Sequence, residues 1–484
     1  MTADCNKTQD AAHDLPDHSQ PFLMDRKEKD VPVTPAGRLF LRQEMNTIIH
    51  CAIAGKHPLN IPAITSAVET SIIMHHPRFT SLLVTDRHGH EHWRKTHLNL
   101  DSHIIIKHDV IQVNDHEKAV NDYIADLSVS SPLDTAKPLW EMHLLMAHNC
   151  VVFRIHHALG DGVSLMSMLL SCCRKSNDPE MLPEIKNAAA VRRDSNLLRL
   201  VVKLMKVMFF TVVYVMELMM RSLWVKDKRT AVTGGAGVEL WPRCLVTAKF
   251  RLDDMKIVKN VVANATINDV LFGVISSGLS KYLGIQSPEA PKEGTRLTGL
   301  AMINMRSEKG LQDVSDFKMN NKGTQWGNKF GTLLLPVYYH RNDSDPLQYV
   351  KRAKVMIDRK KLSLEGYFSY KVGYFVMSYL GSKLAGWLNY RICSNTTFTI
   401  SNVIGPGEEV TIAGNPVEYI RVNTSSLPHA ITIHMVSYAG RADLQILVAK
   451  DIIPDPQFLA KCFEDALLEM KEAALATIQP DKVS

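Results

Sequence analysis

The chain has 484 residues, of which 45% are hydrophobic, 22% charged and 7% aromatic. That balance excludes a mostly disordered or collagen-like polypeptide, and the length suits two or three domain-sized units. Basic residues exceed acidic ones by six, 56 against 50, without the clustering that marks a nucleic-acid binder. The surplus is compatible with weak attraction to anionic surfaces or to a phosphate-bearing co-substrate.

Residues 1–30 are polar and aperiodic and read as a flexible tail, with no basic segment leading into an apolar core and so no secretory signal. Asn46–Ala54 reads as a strand, Ile61–Met74 as an amphipathic helix, Phe79–Thr85 as a strand and His116–Leu127 as a helix. Trp140–Met146 and Cys150–Ile155 read as a hairpin, followed by a helix over Val163–Cys173.

Asn196–Val225 has a different texture. Its longest uncharged run, Val207–Met216, is far shorter than the ~20 residues of a membrane span. At 100° per residue, Arg192, Arg199, Lys203, Lys206, Glu217 and Arg221 fall on one narrow meridian. The pattern predicts a long helix with a polar stripe and an apolar remainder. Three readings fit it, in this order: a buried connector, an in-plane membrane helix whose basic residues meet lipid headgroups, and a span that would carry Lys203, Lys206 and Glu217 at depth.

Lys228–Gly237 is a Gly-rich boundary. Beyond it, Lys249–Arg251 closes a strand, Ile267–Leu283 is helical, and Arg296–Asn304 and Phe330–Val337 are strands. Leu347–Lys360 is helical, and Tyr367–Tyr390 is a tyrosine-rich apolar helix or helix pair. Ala430–Ser437 and Ala442–Ala449 alternate as a hairpin, and Pro456–Leu475 closes as an amphipathic helix. Short strands mixed with helices, without strict βαβ alternation, predict an α+β fold. The organisation is a tail (1–30), an N-terminal unit (31–185), a connector helix and link (186–237) and a C-terminal unit (238–484). The eight cysteines are scattered, with no C-x-x-C pair, and read as reduced thiols rather than zinc ligands.

The sharpest chemical signal is Val151-Val-Phe-Arg-Ile-His156-His157-Ala-Leu-Gly160-Asp161-Gly162. Strand parity puts Phe153, Ile155 and His157 on one face and Arg154 and His156 on the other. His157 therefore points inward, and a histidine delivered into a protected cleft suits a general base because its pKa lies near neutrality. Asp161 either orients the imidazole or ties down the loop through an arginine. Gly162 permits a tight turn at the helix start. Adjacent histidines at a strand end point apart and no third ligand lies nearby, so a metal site is not read here. No G-x-S-x-G elbow and no Walker or Rossmann glycine pattern occurs.

His156-His157-Ala-Leu-Gly160-Asp161-Gly162 fits HHxxxDG, and so resembles the acyl-CoA-dependent acyltransferases of the chloramphenicol acetyltransferase-like superfamily. Within it, the chain is similar to the plant wax ester synthase/diacylglycerol acyltransferase family. Pro138-Leu-Trp140-Glu141 resembles that family's PLWE strand, His76-Pro-Arg78-Phe79 its A-P-R-F stretch, and Ile267-Asn268-Asp269 its N-D helix start. Met302-Ile-Asn304-Met305-Arg306, Trp326-Gly327-Asn328 and Ser401-Asn402-Val403-Ile-Gly-Pro406 resemble its N-V-R, W-G-N and S-N-V-x-G-P segments. The likeness spans about residues 32–475, with Met305 in place of a valine and Ser307 where a proline often follows the arginine.

The resemblance implies two chloramphenicol acetyltransferase-like halves with the reaction centre between them. It implies transfer of a long-chain acyl group from acyl-CoA, a co-substrate, onto a fatty alcohol (wax ester) or diacylglycerol (triacylglycerol), with no cofactor, metal or nucleic acid. His157 would be the base, His156 and Asp161 would support the loop, and Asn402 or Asn268 would donate to the oxyanion. Asn268 also suits a helix N-cap. Met216, Met219, Met220, Tyr367, Tyr370 and Tyr374 are candidates to line an apolar channel. The apolar helix would park the channel mouth on a membrane, giving an enzyme at the cytosolic face of the endoplasmic reticulum, or at the plasma membrane. Two other readings are a soluble HxxxD acyltransferase of specialised metabolism, whose D-F-G-W-G motif is missing here, and a non-catalytic lipid-binding protein of the same fold.

Overall fold

Continuous aliphatic runs such as Ile48–Gly55, in which every residue except the terminal glycine is buried, mark strands covered on both faces. They assemble into two large sheets and a small three-stranded one in the computed structural model of the chain. The structure describes residues 30–109, 115–183, 197–287, 290–306, 326–341, 345–425 and 427–478. The tail up to residue 29, together with Arg192 and Ser307, lies outside them.

The seven-stranded sheet has the order Ile104–Lys107, Trp140–Leu145, Cys150–His156, Ile48–Gly55, Asn415–Thr424, Val410–Ile412, Arg174–Lys175. The six-stranded sheet runs Phe330–Tyr338, Arg296–Asn304, Phe398–Ile404, Ile431–Tyr438, Arg441–Ala449, Arg243–Arg251. The expected hairpins are both present, with Trp140–Leu145 antiparallel to Cys150–His156 and Ile431–Tyr438 antiparallel to Arg441–Ala449. The fold is α+β.

Sequence halves and sheets do not coincide. Asn415–Thr424, from the C-terminal half, pairs with Ile48–Gly55 and completes the N-terminal sheet. Helices Ile61–Glu69 and Gly162–Ser171 pack on the first sheet, and Ile267–Gln286, Leu347–Lys361 and Pro456–Ile478 on the second. A smaller core joins the sheets through Ala52, Val152, Tyr419, Leu245 and Leu447, closed by Val120 and Ile124 of helix His116–Ser130.

The connector is one helix, Leu197–Leu223. Its orientation corrects the buried-connector reading: the C-terminal end of the charged stripe turns toward the protein, whereas Arg199, Lys203 and Lys206 stay exposed beside an apolar side that faces out. Arg221 is 3% exposed; it binds Asp227 at 2.9 Å, the Thr298 hydroxyl at 3.0 Å and the Asn395 carbonyl at 2.9 Å. Glu217 pairs with both Arg221 and Arg296. Outward lie residues such as Met205 (66% exposed) and Phe209 (62%). Helices Glu365–Phe375 and Ser382–Ser394, joined by a π-helical turn at Val376–Leu380, continue this surface with Phe375, Tyr379 and Trp387 exposed. Among the described residues, no helix is long and apolar enough to cross a membrane.

Candidate active site at the HHxxxDG loop

The Cys150–His156 strand ends between two backbone clamps: the His156 N–H donates to Leu139 O at 3.0 Å and the His157 N–H to Thr47 O at 2.9 Å. As parity requires, the two rings go to different places. His156 Nε2 bonds Asn46 Oδ1 at 2.9 Å, while its Nδ1 accepts the Ala158 N–H at 3.1 Å. Both nitrogens are used within the loop, and burial pushes the ring's pKa down to about 3, so His156 is a neutral structural support.

His157 stacks on Phe40, with ring centroids 4.0 Å apart, and lines an apolar cavity of about 110 Å³. Asn328 holds it twice: the amide Nδ2 donates to the His157 carbonyl at 2.9 Å, and Oδ1 faces the ring Nδ1 at 3.1 Å. Because Nδ2 is committed as a donor, Oδ1 must accept, and this places the imidazole proton on Nδ1. The lone pair is left on Nε2. Burial moves the His157 pKa below the ordinary histidine value, partly opposed by the charge of Asp161 and the bond to Asn328. The ring is neutral and able to accept a proton at pH 7.

Asp161 takes the second of its two sequence readings. Its Oδ1 caps helix Gly162–Ser171 by accepting the Ser164 N–H at 3.1 Å. Its Oδ2 binds Arg306 at 2.7 Å and the Lys329 N–H at 3.0 Å. Arg306 also donates to the Ser164 hydroxyl at 3.0 Å and to the Gly327 carbonyl. Asp161 therefore ties residues 326–329, and with them Asn328, to the loop that carries His157.

Gly327 sits at φ +116°, where a Cβ would meet the Arg78 guanidinium at 3.0 Å, so that position requires glycine. Gly162 is not at positive φ, which corrects the turn argument. It lines the His157 cavity, and a Cβ there would stand 3.5 Å from Val403. Its small size keeps space open beside His157.

Two other motif segments brace the same loop, and a third ties its neighbours together. Trp326 Nε1 donates to Leu159 O at 2.8 Å, Arg78 reaches the same carbonyl at 3.3 Å, and Trp140 Nε1 donates to Phe79 O at 2.9 Å. Glu141 works on the opposite face of the sheet, binding Arg154 at 2.6 Å. Burial alone would raise its pKa, but hydrogen bonds from His143 and Lys137 and the charge of Arg154 bring it down to about 2.

The two asparagines are placed elsewhere. Asn402 donates to Asn268 Oδ1 at 2.7 Å in an exposed pair, and neither lines the His157 cavity. On the Phe398–Ile404 strand it is Thr399, Ile400, Ser401 and Val403 that line the cavity, and the exposed Asn402 does not. The N-cap of helix Ile267–Gln286 is Thr266, in a capping box with Asp269.

A second cavity, of about 280 Å³, adjoins the first and shares Phe153, Met168 and Leu169 with it. Along Ile48–Gly55, Ile49 and Cys51 line the first cavity and Ile53 and Gly55 the second, all on one pleat face. From Thr47 to Gly55 this is an apolar groove about 25 Å long at ~3.3 Å per residue, roofed by helix Gly162–Ser171. Met216, Met219, Met220, Tyr367, Tyr370 and Tyr374 line neither cavity, contrary to the channel suggested by the sequence.

The chain matches the wax ester synthase/diacylglycerol acyltransferase catalytic domain over residues 46–271 and the WS/DGAT C-terminal domain over residues 326–471. It is 34% identical to wax ester synthase/diacylglycerol acyltransferase 11 of Arabidopsis thaliana, covering 92% of this chain and 96% of that one. It is 35% identical to number 4 of the same plant, covering 93% and 91%. The fold resembles a wax ester synthase/diacylglycerol acyltransferase from Marinobacter aquaeolei VT8 (TM-score 0.56, 16% identity, 92% of this chain and 99% of that one). It also resembles a trichothecene 15-O-acetyltransferase from Fusarium sporotrichioides (TM-score 0.57, 12% identity, 92% and 95%).

Proposed function

Since the chain belongs to the wax ester synthase/diacylglycerol acyltransferase family and is an acyltransferase, we propose that it moves a long-chain acyl group from acyl-CoA directly onto the hydroxyl of a fatty alcohol, and onto diacylglycerol, with His157 as general base. The observation that carries this reading is the His157 ring, whose proton is held on Nδ1 by Asn328 while Nε2 remains the acceptor in an apolar cavity. A thioester is already activated, so no covalent enzyme intermediate is needed. His157 Nε2 takes the acceptor proton as the oxygen attacks, and CoA leaves as the thiol. Such a base contributes ~10²–10⁴-fold.

The groove supports a long-chain substrate. The hydrocarbon of one bilayer leaflet is about 15 Å deep, so a groove of about 25 Å houses one extended chain with its reactive end at His157.

The helical face supports work on a membrane surface. It exposes contiguous apolar side chains, and the exposed charges on its helices, Arg199, Lys203, Lys206, Lys371 and Lys383, are all basic. An apolar surface rimmed by lysine and arginine complements a bilayer with anionic headgroups. The cysteines of the described residues are free thiols, which supports the cytosolic side of the endoplasmic reticulum membrane.

The test is acyl transfer from palmitoyl-CoA to hexadecanol or diacylglycerol in liposomes, with wild type and His157→Ala side by side. Ester from the wild type and a ~10²–10⁴-fold loss in a folded variant are expected. Equal rates would remove His157 from the mechanism. Absence of both products would remove the acceptor classes.

A further inference from the structure

The His157 cavity is built from both sheets, and each delivers one histidine to it. The second is His434, between Ile433 and Met435 in the Ile431–Tyr438 strand, with Ser401 as its parallel partner on the neighbouring strand. Its side chain is 6% exposed, and its Nδ1 is sealed from solvent without a hydrogen-bond partner. Leaving a buried polar group unpaired costs ~1–3 kcal/mol. Most of the other buried histidines avoid that cost: His156 is held by Asn46, His429 by Thr396 and Thr399, and His76 by the Arg78 N–H. His50 is likewise unbonded, and His103 and His148 each leave Nε2 unpaired, but none of the three lines the cavity. Among the described residues, His434 alone combines an unpartnered buried ring nitrogen with a place beside the proposed base, where an arriving substrate can satisfy it.

We propose that His434 is a second catalytic residue, donating an N–H to the thioester carbonyl oxygen as that oxygen becomes an oxyanion. The proposal rests on the acyl-transfer reading above. In the step, the acceptor oxygen bonds to the thioester carbon while its proton passes to His157 Nε2, and the C=O π pair moves onto oxygen, where His434 meets it. Collapse restores the C=O bond and breaks the C–S bond. The departing thiolate takes the proton back from His157, so nothing else is consumed. A neutral donor suits this place. Burial pulls the His434 pKa down to about 4, so the ring offers one N–H and adds no positive charge to oppose protonation of His157. Fixed donors in a water-poor site cost no reorganisation as charge develops.

The experiment measures ester formation under saturating and subsaturating palmitoyl-CoA for wild type, His157→Ala, His434→Leu and His434→Gln, each checked for folding by thermal unfolding. His434→Leu removes the donor at similar volume and should lower kcat by ~10²-fold with little change in KM. His434→Gln keeps an N–H and should recover part of that loss. If the Leu variant fails to fold, the Gln variant carries the test against wild type: activity well above that of His157→Ala is expected, and activity as low would count against a donor role. A Leu variant within about threefold of wild type, a loss confined to KM, or a folded Gln variant no better than Leu would overturn the proposal. Each of these leaves the acyl-transfer reading intact if His157→Ala is inactive. A wild type without activity would overturn both.

Discussion

The loop around His157 and the helical face of residues 197–223 and 365–394 invert the usual distribution of side chains in opposite ways. In the loop, charged and polar groups are buried, but almost all are paired: Asp161 with Arg306 and Lys329, Asn328 with His157, and His156 with Asn46. On the face, large apolar groups are exposed, and of the helix charges only Arg221 and Glu217 are turned inward while Arg199, Lys203 and Lys206 stay at the surface. A buried polar group is stable once the chain itself supplies its partner, whereas an exposed apolar surface finds its partner only outside the molecule. The first region is complete in the monomer. The second is built for contact.

Acid should separate the two regions most strongly. His50, His76, His156 and His429 have pKa values lowered to about 3 and His434 to about 4, by burial in each case. Their folded values lie below the unfolded 6.5, so the unfolded chain takes up protons that the folded chain refuses, and stability falls as pH drops below 6.5. Each histidine costs about 1.4 kcal/mol per pH unit, and five together exhaust a total stability of ~5–15 kcal/mol by roughly pH 5. Circular dichroism against pH checks this; a fold intact at pH 4 would contradict it. The helical face contains no histidine, so lipid binding should not titrate above the unfolding pH.

Breaking one ion pair comes next. Arg306→Met strands Asp161 in a buried site and should cost ~3–5 kcal/mol, read as a lower urea midpoint. Activity should fall with it, because Asn328 depends on the same tie. An unchanged midpoint would mean that the clasp contributes nothing.

Asn328→Leu probes the site with less damage to the fold. Losing the tautomer lock should reduce kcat by ~10²-fold, below the ~10⁴-fold measured where a wrong tautomer is enforced in a serine-protease triad. KM should stay near wild type. A purely structural role for Asn328 would instead lower the thermal midpoint and leave kcat of the folded protein unchanged.

The smallest effect belongs to the face. Lys203→Ala with Lys206→Ala should weaken binding to anionic vesicles by about 2 kcal/mol, or ~30-fold, in a salt-dependent way, leaving stability unchanged. Equal binding by the variant would place the bilayer elsewhere on the molecule.

Much of this was legible in the sequence because it depends on local rules. Period-2 parity alone sent His156 and His157 to opposite faces, and the run of apolar residues between turn signals gave the Arg296–Asn304 strand its limits. The Asn415–Thr424 strand escaped, because it belongs to the N-terminal sheet only through pairing with Ile48–Gly55, more than 350 residues away in the chain. Trp326-Gly327-Asn328 was visible as a motif but carried no role, since nothing local links it to His157. The same holds for His434, which reads from sequence as a polar interruption of a strand.

The sequence by itself determined most of the elements, the α+β class, the direction of His157 and the family resemblance, because periodicity, turn chemistry and motif order act over short stretches. Only the tertiary structure decided which asparagine holds His157, what Asp161 binds, where the groove runs and which side of the Leu197–Leu223 helix faces outward. Those outcomes depend on hydrogen bonds and ion pairs between residues more than a hundred positions apart, such as Asn328 with His157 and Arg306 with Asp161. Burial, which sets the worth of each such bond, exists only once the chain has closed on itself.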